Sequence, residues 1–159
     1  MNIIFLDIDG VLNSQKYLIS SHKSVVDFYE QYGRNIKDID LLLKRKMFDI
    51  DTSKVMILRD VIDRTGAKVV IISSWKKLEI YPYVVSNLID MGISIVGSTC
   101  DNGSNRGFGI RKYCEENNID NYVIIDDDVF DEYDIELLIG WLRLVFMMME
   151  LKMNTKKQL

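Results

Sequence analysis

A chain of 159 residues, 48% of them hydrophobic, fits one domain built around a single core. Its formal net charge of −4 provides no general attraction to nucleic acid or to an anionic membrane. The cysteines, Cys100 and Cys114, lack metal-ligand spacing and no secretory signal precedes the first apolar run, which points to a reducing, cytoplasmic setting; with His22 the only histidine, a Ser-His-Asp scheme is discounted.

In chain order, Ile3-Ile4-Phe5-Leu6 comes first. An unbroken apolar run this short reads as a strand buried on both faces, the usual state of a central strand in a parallel sheet. Such strands deliver functional groups at their carboxyl ends, where Asp7 and Asp9 stand. Residues two apart on an extended chain point to the same side, so both carboxylates can serve one site. Gly10 then allows a tight turn and a close approach to a ligand. Two carboxylates this close repel unless a cation joins them or one is protonated, and hard oxygen ligands suit Mg²⁺. Alternatives remain at this point. Asp-x-Asp also occurs on solvated loops, and a nucleotide-sugar transferase can hold its metal with the same pair after a strand. A calcium-binding EF-hand loop is excluded, because its glycine belongs at the sixth position and here it is fourth.

Over 14–51 the pattern changes. Val25, Val26, Phe28, Tyr29, Ile36, Ile39, Leu42 and Leu43 recur at roughly helical spacing among charges, which predicts a small helical insertion. Lys44-Arg45-Lys46 reads as a solvated helix face, with a grip on a polyanionic substrate as the functional alternative.

Regular alternation follows. Thr52 or Ser53 can cap a helix carrying Val55, Leu58, Val61 and Ile62, stopped near Gly66. Ala67 to Ile72 is a second strand, running into Ser73-Ser74-Trp75. The helix after Pro82 turns Val84, Val85, Leu88 and Ile89 inward and stops at Gly92. Ile93–Val96 is a third strand, Arg106 opens another helix, and Tyr122–Ile125 is a fourth strand leading into Asp126-Asp127-Asp128. Strands alternating with helices argue for an α/β fold, a three-layer doubly wound parallel sheet. Three strands then end in polar chemistry at one sheet edge: Asp7/Asp9, Ser73/Ser74 and Asp126/Asp127. Carboxylates for a metal, a hydroxyl for a phosphoryl oxygen and a cation for charge balance are the ingredients of phosphoryl transfer.

These segments resemble the haloacid dehalogenase (HAD) superfamily of phosphatases. Phe5-Leu6-Asp7-Ile8-Asp9-Gly10 looks like its first motif, Ile71-Ile72-Ser73 its second and Ile124-Ile125-Asp126-Asp127 its fourth. Asp9 to Asn13, Ser73-Ser74-Trp75-Lys76 and the three aspartates at 126–128 resemble, more narrowly, the HAD domain of phage and bacterial RNA-repair (Swiss Army Knife) proteins. The resemblance covers about residues 2 to 132. It implies a HAD-like, Rossmannoid domain over 1–159, with 14–51 as a small helical cap and 135–159 as a divergent C-terminal segment. It implies Asp7 as the nucleophile, Asp9 as general acid and then base, and Ser73 as the hydrogen-bonding partner of the transferring phosphoryl. It also implies a Mg²⁺ site of Asp7, Asp126 and Asp127 with the backbone carbonyl of Asp9. The third motif, a single cation, falls to Arg106 first and Lys76 second.

Plainer readings stand beside these roles. Ser73 can simply cap the following helix, Trp75 can be packing, Arg106 a surface residue, and Asp128, Asp131 and Asp134 solvated acids. The stretch 137–149 is dense in apolar residues, but Arg143, Glu136 and Glu150 leave too short a run to span a bilayer, so a buried or homodimer-forming segment is expected there. Residues 152–159 read as a frayed polar end. The expected function is a Mg²⁺-dependent phosphatase working through an aspartyl-phosphate on a phosphate monoester, such as a nucleotide or an RNA or DNA end, with no membrane partner. A non-catalytic scaffold module of the same fold is the alternative, and a nucleotide-sugar transferase a weaker one.

Overall fold

The computed structural model describes residues 1–13, 50–101, 105–128, 134 and 136–139. The expected helical cap up to residue 49, with His22 and Lys44 to Lys46, lies outside them. So do Asp131 and the apolar stretch beyond Ile139.

Among the described residues, four parallel strands form one sheet in the order β3-β2-β1-β4. They are β1 (Asn2–Leu6), β2 (Lys68–Ile71), β3 (Ile95–Ser98) and β4 (Asn121–Ile125). The helices are α1 (Thr52–Thr65), α2 (Tyr81–Asp90) and α3 (Arg106–Asn117), and a 3-10 turn spans Ser74–Lys77. Side chains of β1 alternate between two cores. Ile4 and Leu6 pack with Val55, Leu58 and Ile62 of α1 and Val84 and Leu88 of α2, whereas Ile3 and Phe5 pack with Ile110 of α3. Helices therefore cover both faces, giving the three-layer parallel α/β sheet. The apolar run of β1 is continuous because both its faces are buried. Phe5 lies edge-to-face against Tyr113 and Tyr122, with ring centroids 5.8 and 5.5 Å away, which fixes the strand just before Asp7.

Local signals account for most boundaries, and some differ from expectation. The cap of α1 is Asp51, one residue before the expected Thr52 or Ser53. Its carboxylate accepts the Ser53 N–H at 3.0 Å and the Ser53 hydroxyl at 2.6 Å, and this holds its carboxyl below the ordinary value. An anionic cap also complements the positive end of the helix dipole. Gly66 ends α1 in the left-handed conformation, φ 65°, with its N–H on the Ile62 carbonyl. Ile50, inside the expected cap range, is buried in the main core.

In α2 only Val84 and Leu88 are buried. Val85 is half-buried and Ile89 is 50% exposed, so the inward stripe is a single i, i+4 row rather than the four residues expected. Strand β3 begins at Ile95, two residues later than expected, and its pairing with β2 shifts register between Val69 and Val70. As an edge strand it lacks the two-sided burial that marks β1, so its apolar pattern locates it poorly. Among the described residues no helix is long and apolar enough to cross a membrane.

Candidate functional site

The sheet register sets the site. Leu6 pairs with Ile71 on one side and Ile125 on the other, so β1, β2 and β4 release their chains at one edge. The next residues stay in step: Asp7 N–H donates to the Ile125 carbonyl, Ile72 N–H to Leu6 and Thr99 N–H to Ile71. Asp7, Ser73 and Asp126, all buried, are thereby collected at the carboxyl ends of neighbouring strands. This is the position where open α/β sheets carry ligands.

The loop after β1 folds back on itself. Leu12 N–H donates to the Ile8 carbonyl at 2.8 Å, and Gly10 N–H donates to Asn13 Oδ1 at 3.0 Å. Gly10 has φ 68°, and a Cβ placed there would lie 1.9 Å from Asp127 Oδ2. Glycine is required both by the left-handed backbone and by this close approach. Gly10→Ala is expected to cost about 1–2 kcal/mol from backbone strain alone and to displace the Asp127 carboxylate. Chemical denaturation measures the first effect, and Mg²⁺ titration of the variant beside the unsubstituted protein tests the second.

Carboxylate oxygens of Asp7, Asp126 and Asp127 lie within 4.8 Å of one another. Arg106, the first residue of α3, joins two of them: its Nη1 is 3.2 Å from Asp7 Oδ2 and 2.5 Å from Asp126 Oδ2. Asn105 positions the start of that helix by accepting the Phe108 N–H at 2.8 Å. Burial by itself would lower the guanidinium pKa, but the charges of Asp7 and Asp126 more than offset it, and Arg106 is held above its ordinary value. Burial pushes the Asp126 carboxyl up against the pull of Arg106. Partial burial, followed by the charge of Asp7, pushes Asp127 up. Among the described residues, three carboxyl groups gather at one guanidinium, so acidic groups outnumber basic ones by two in this cluster. Asp7 Oδ1 is buried and has no hydrogen-bond partner among the described residues. Clustered hard oxygens, one of them unsatisfied, with acidic groups in excess fit a dication such as Mg²⁺.

Asp9 stands apart from this cluster. Its Oδ2 accepts the Trp75 indole N–H at 2.6 Å and its Oδ1 accepts the Asn13 amide at 3.3 Å. Of the two candidates for the third motif, Arg106 lies against Asp7. Lys76 lies elsewhere, its ammonium donating to the Thr99 carbonyl (3.1 Å), the Thr99 hydroxyl (2.7 Å) and Asp101 (3.0 Å). Burial lowers the Lys76 pKa, partly offset by Asp101. Ser73 caps the 3-10 turn by accepting the Trp75 N–H at 3.3 Å. A hydroxyl that accepts one bond keeps its hydrogen to donate, so capping and phosphoryl binding are compatible. Asp134 accepts the N–H groups of Glu136 and Leu137 and pairs with Arg111, which gives this expected solvated acid a capping role.

Sequence reasoning assigned no part to Asn13, Thr99 or Asp101. Only Asn13 carried a usable signal, an amide four residues after Asp9 in a turn. Thr99 and Asp101 were hidden by the misplaced end of β3.

No curated protein and no solved structure gives a significant match to this sequence. A family model described as the HAD domain in Swiss Army Knife RNA repair proteins matches residues 3–141, from the first strand through the whole sheet and both aspartate-bearing strand ends. The chain belongs to this family of HAD domains, whose general character is phosphatase-like.

Proposed function

We propose that the protein is a Mg²⁺-dependent phosphoric monoester hydrolase that works through an aspartyl-phosphate on Asp7. The observation that carries this is the Asp7–Asp126–Asp127 cluster bridged by Arg106, with a further carboxylate, Asp9, held outside it. Asp7, Asp126 and Asp127 would hold the ion, with the Asp9 carbonyl as the remaining protein ligand. Bound there, Mg²⁺ supplies positive charge against the phosphoryl oxygens.

The chain's own groups do the rest. A carboxylate oxygen of Asp7 attacks phosphorus, and the bond from phosphorus to the leaving oxygen breaks as Asp9 gives that oxygen its proton. Arg106 and the Ser73 hydroxyl hold the phosphoryl oxygens, where charge builds up in the transition state. Water then adds to phosphorus while Asp9 takes its proton. The bond to Asp7 breaks with its electron pair returning to the carboxylate, and inorganic phosphate leaves. The substrate we propose is a nucleotide or an RNA or DNA end phosphate, a class suggested by the repair proteins that name the family.

Metal dependence is the test. At a Mg²⁺ concentration of 100 Kd the folded state gains about 2.7 kcal/mol, visible as a rise in melting temperature. An aryl phosphate is hydrolysed with Mg²⁺ and not in chelator. Undiminished hydrolysis in chelator removes the metal from the mechanism. A protein that hydrolyses no phosphate ester under either condition is a non-catalytic module of the same fold.

A further inference from the structure

Trp75 was expected to be packing, and it is packed: the ring is 4% exposed within the main core. Its one polar atom nevertheless leaves the core and meets Asp9 Oδ2 at 2.6 Å. The other Asp9 oxygen is met by Asn13, which is 1% exposed and is itself tied through Oδ1 to the Gly10 N–H. Asp9 is an exposed residue whose two carboxylate oxygens are gripped by two buried side chains. Neither grip adapts easily. Packing holds the indole, and the amide is committed at both of its ends.

We infer that Trp75 and Asn13 are positioning residues that hold the Asp9 carboxylate clear of the Asp7–Asp126–Asp127 cluster, in the place from which it takes a proton from attacking water. The indole N–H donates only, so it orients the carboxylate and cannot itself take the proton. Without these donors both Asp9 oxygens lose the partners that fix their direction, and a base out of place is a poor acceptor for the proton of water. The inference rests on the phosphatase reading and concerns its second step. Expelling an aryl oxide needs little help from an acid, whereas hydrolysing phospho-Asp7 needs a base in place.

Trp75→Phe keeps most of the ring and removes the N–H. Asn13→Ala removes the donor to Asp9 without placing a second carboxyl group beside it. With an aryl phosphate and Mg²⁺, both variants are expected to give a product burst of wild-type amplitude and rate. The steady-state rate then falls roughly 10- to 100-fold, the scale on which misplaced catalytic groups act, and phosphate accumulates on Asp7. A merely structural role would instead reduce burst amplitude and turnover together, and that result overturns the inference, as does wild-type turnover in both variants. Should Trp75→Phe fail to fold, Asn13→Ala decides the matter by the same criteria. An independent readout is the indole N–H resonance of Trp75, identified by its loss in Trp75→Phe. It should move upfield in Asp9→Asn and hold its place in Asp7→Asn; a resonance indifferent to Asp9 overturns the inference. Wild-type protein that forms no phosphoenzyme overturns the phosphatase reading and this inference with it, whereas a normal wild-type burst with unimpaired variants overturns the inference alone.

Discussion

Asp7→Asn is expected to abolish both turnover and phosphoenzyme formation, while Asp9→Asn is expected to form the phosphoenzyme and then stall. The two residues are chemically identical and two positions apart, yet their surroundings differ. Asp7 is buried among Asp126, Asp127 and Arg106 with one oxygen unsatisfied among the described residues, whereas Asp9 faces outward with both oxygens held by N–H donors. An amide at position 7 is a poor nucleophile, so no phosphoryl group is transferred. An amide at position 9 cannot deprotonate water, but nitrophenolate leaves without protonation. Quenched-flow measurement with Asp9→Asn should show a burst close to one equivalent, and intact mass should show phosphate retained on Asp7. Substantial activity in Asp7→Asn, with no phosphate trapped in Asp9→Asn, would assign the attack to water activated at a metal instead.

Arg106→Ala and Lys76→Ala are expected to fail in different ways, although both remove a buried cation from the same end of the sheet. Arg106 Nη1 touches Asp7 and Asp126, where phosphoryl charge would develop, so its loss should lower kcat by roughly 10²–10³-fold. Lys76 touches Thr99 and Asp101 and ties the 3-10 turn after β2 to the exit of β3. Its removal breaks a buried ion pair with Asp101, and breaking such a pair costs up to about 3–5 kcal/mol of stability. Asp101 has little room to relax, because α3 passes so close that a Cβ on Gly109 would lie 2.2 Å from Asp101 Oδ1. Activity per folded molecule should fall far less in Lys76→Ala than in Arg106→Ala. Measurement of kcat per folded molecule on both variants separates the two roles, and the reverse ranking of kcat would move the third motif to Lys76.

The central strand and the carboxylates at its end were legible in the sequence because their signals are local. Four apolar residues before Asp7 require burial on both faces, and a helix-stopping Gly66 needs only its own backbone conformation. The alternation of strands and helices, three of the strands ending in polar groups, was enough for the parallel sheet and for the family resemblance. Tertiary structure decided what depends on register and on residues distant in sequence. Proximity cannot tell Arg106 from Lys76, since each cation is assigned by the carboxylate that a neighbouring strand delivers to it. The edge strand β3 was misplaced because one-sided burial carries a weak pattern, and Thr99 and Asp101 went unnoticed with it. Trp75 shows the same limit most clearly. Its apolar bulk predicts the core from composition alone, but the direction of one N–H, and so its hold on Asp9 across 66 positions of chain, is set only when β2 is laid beside β1.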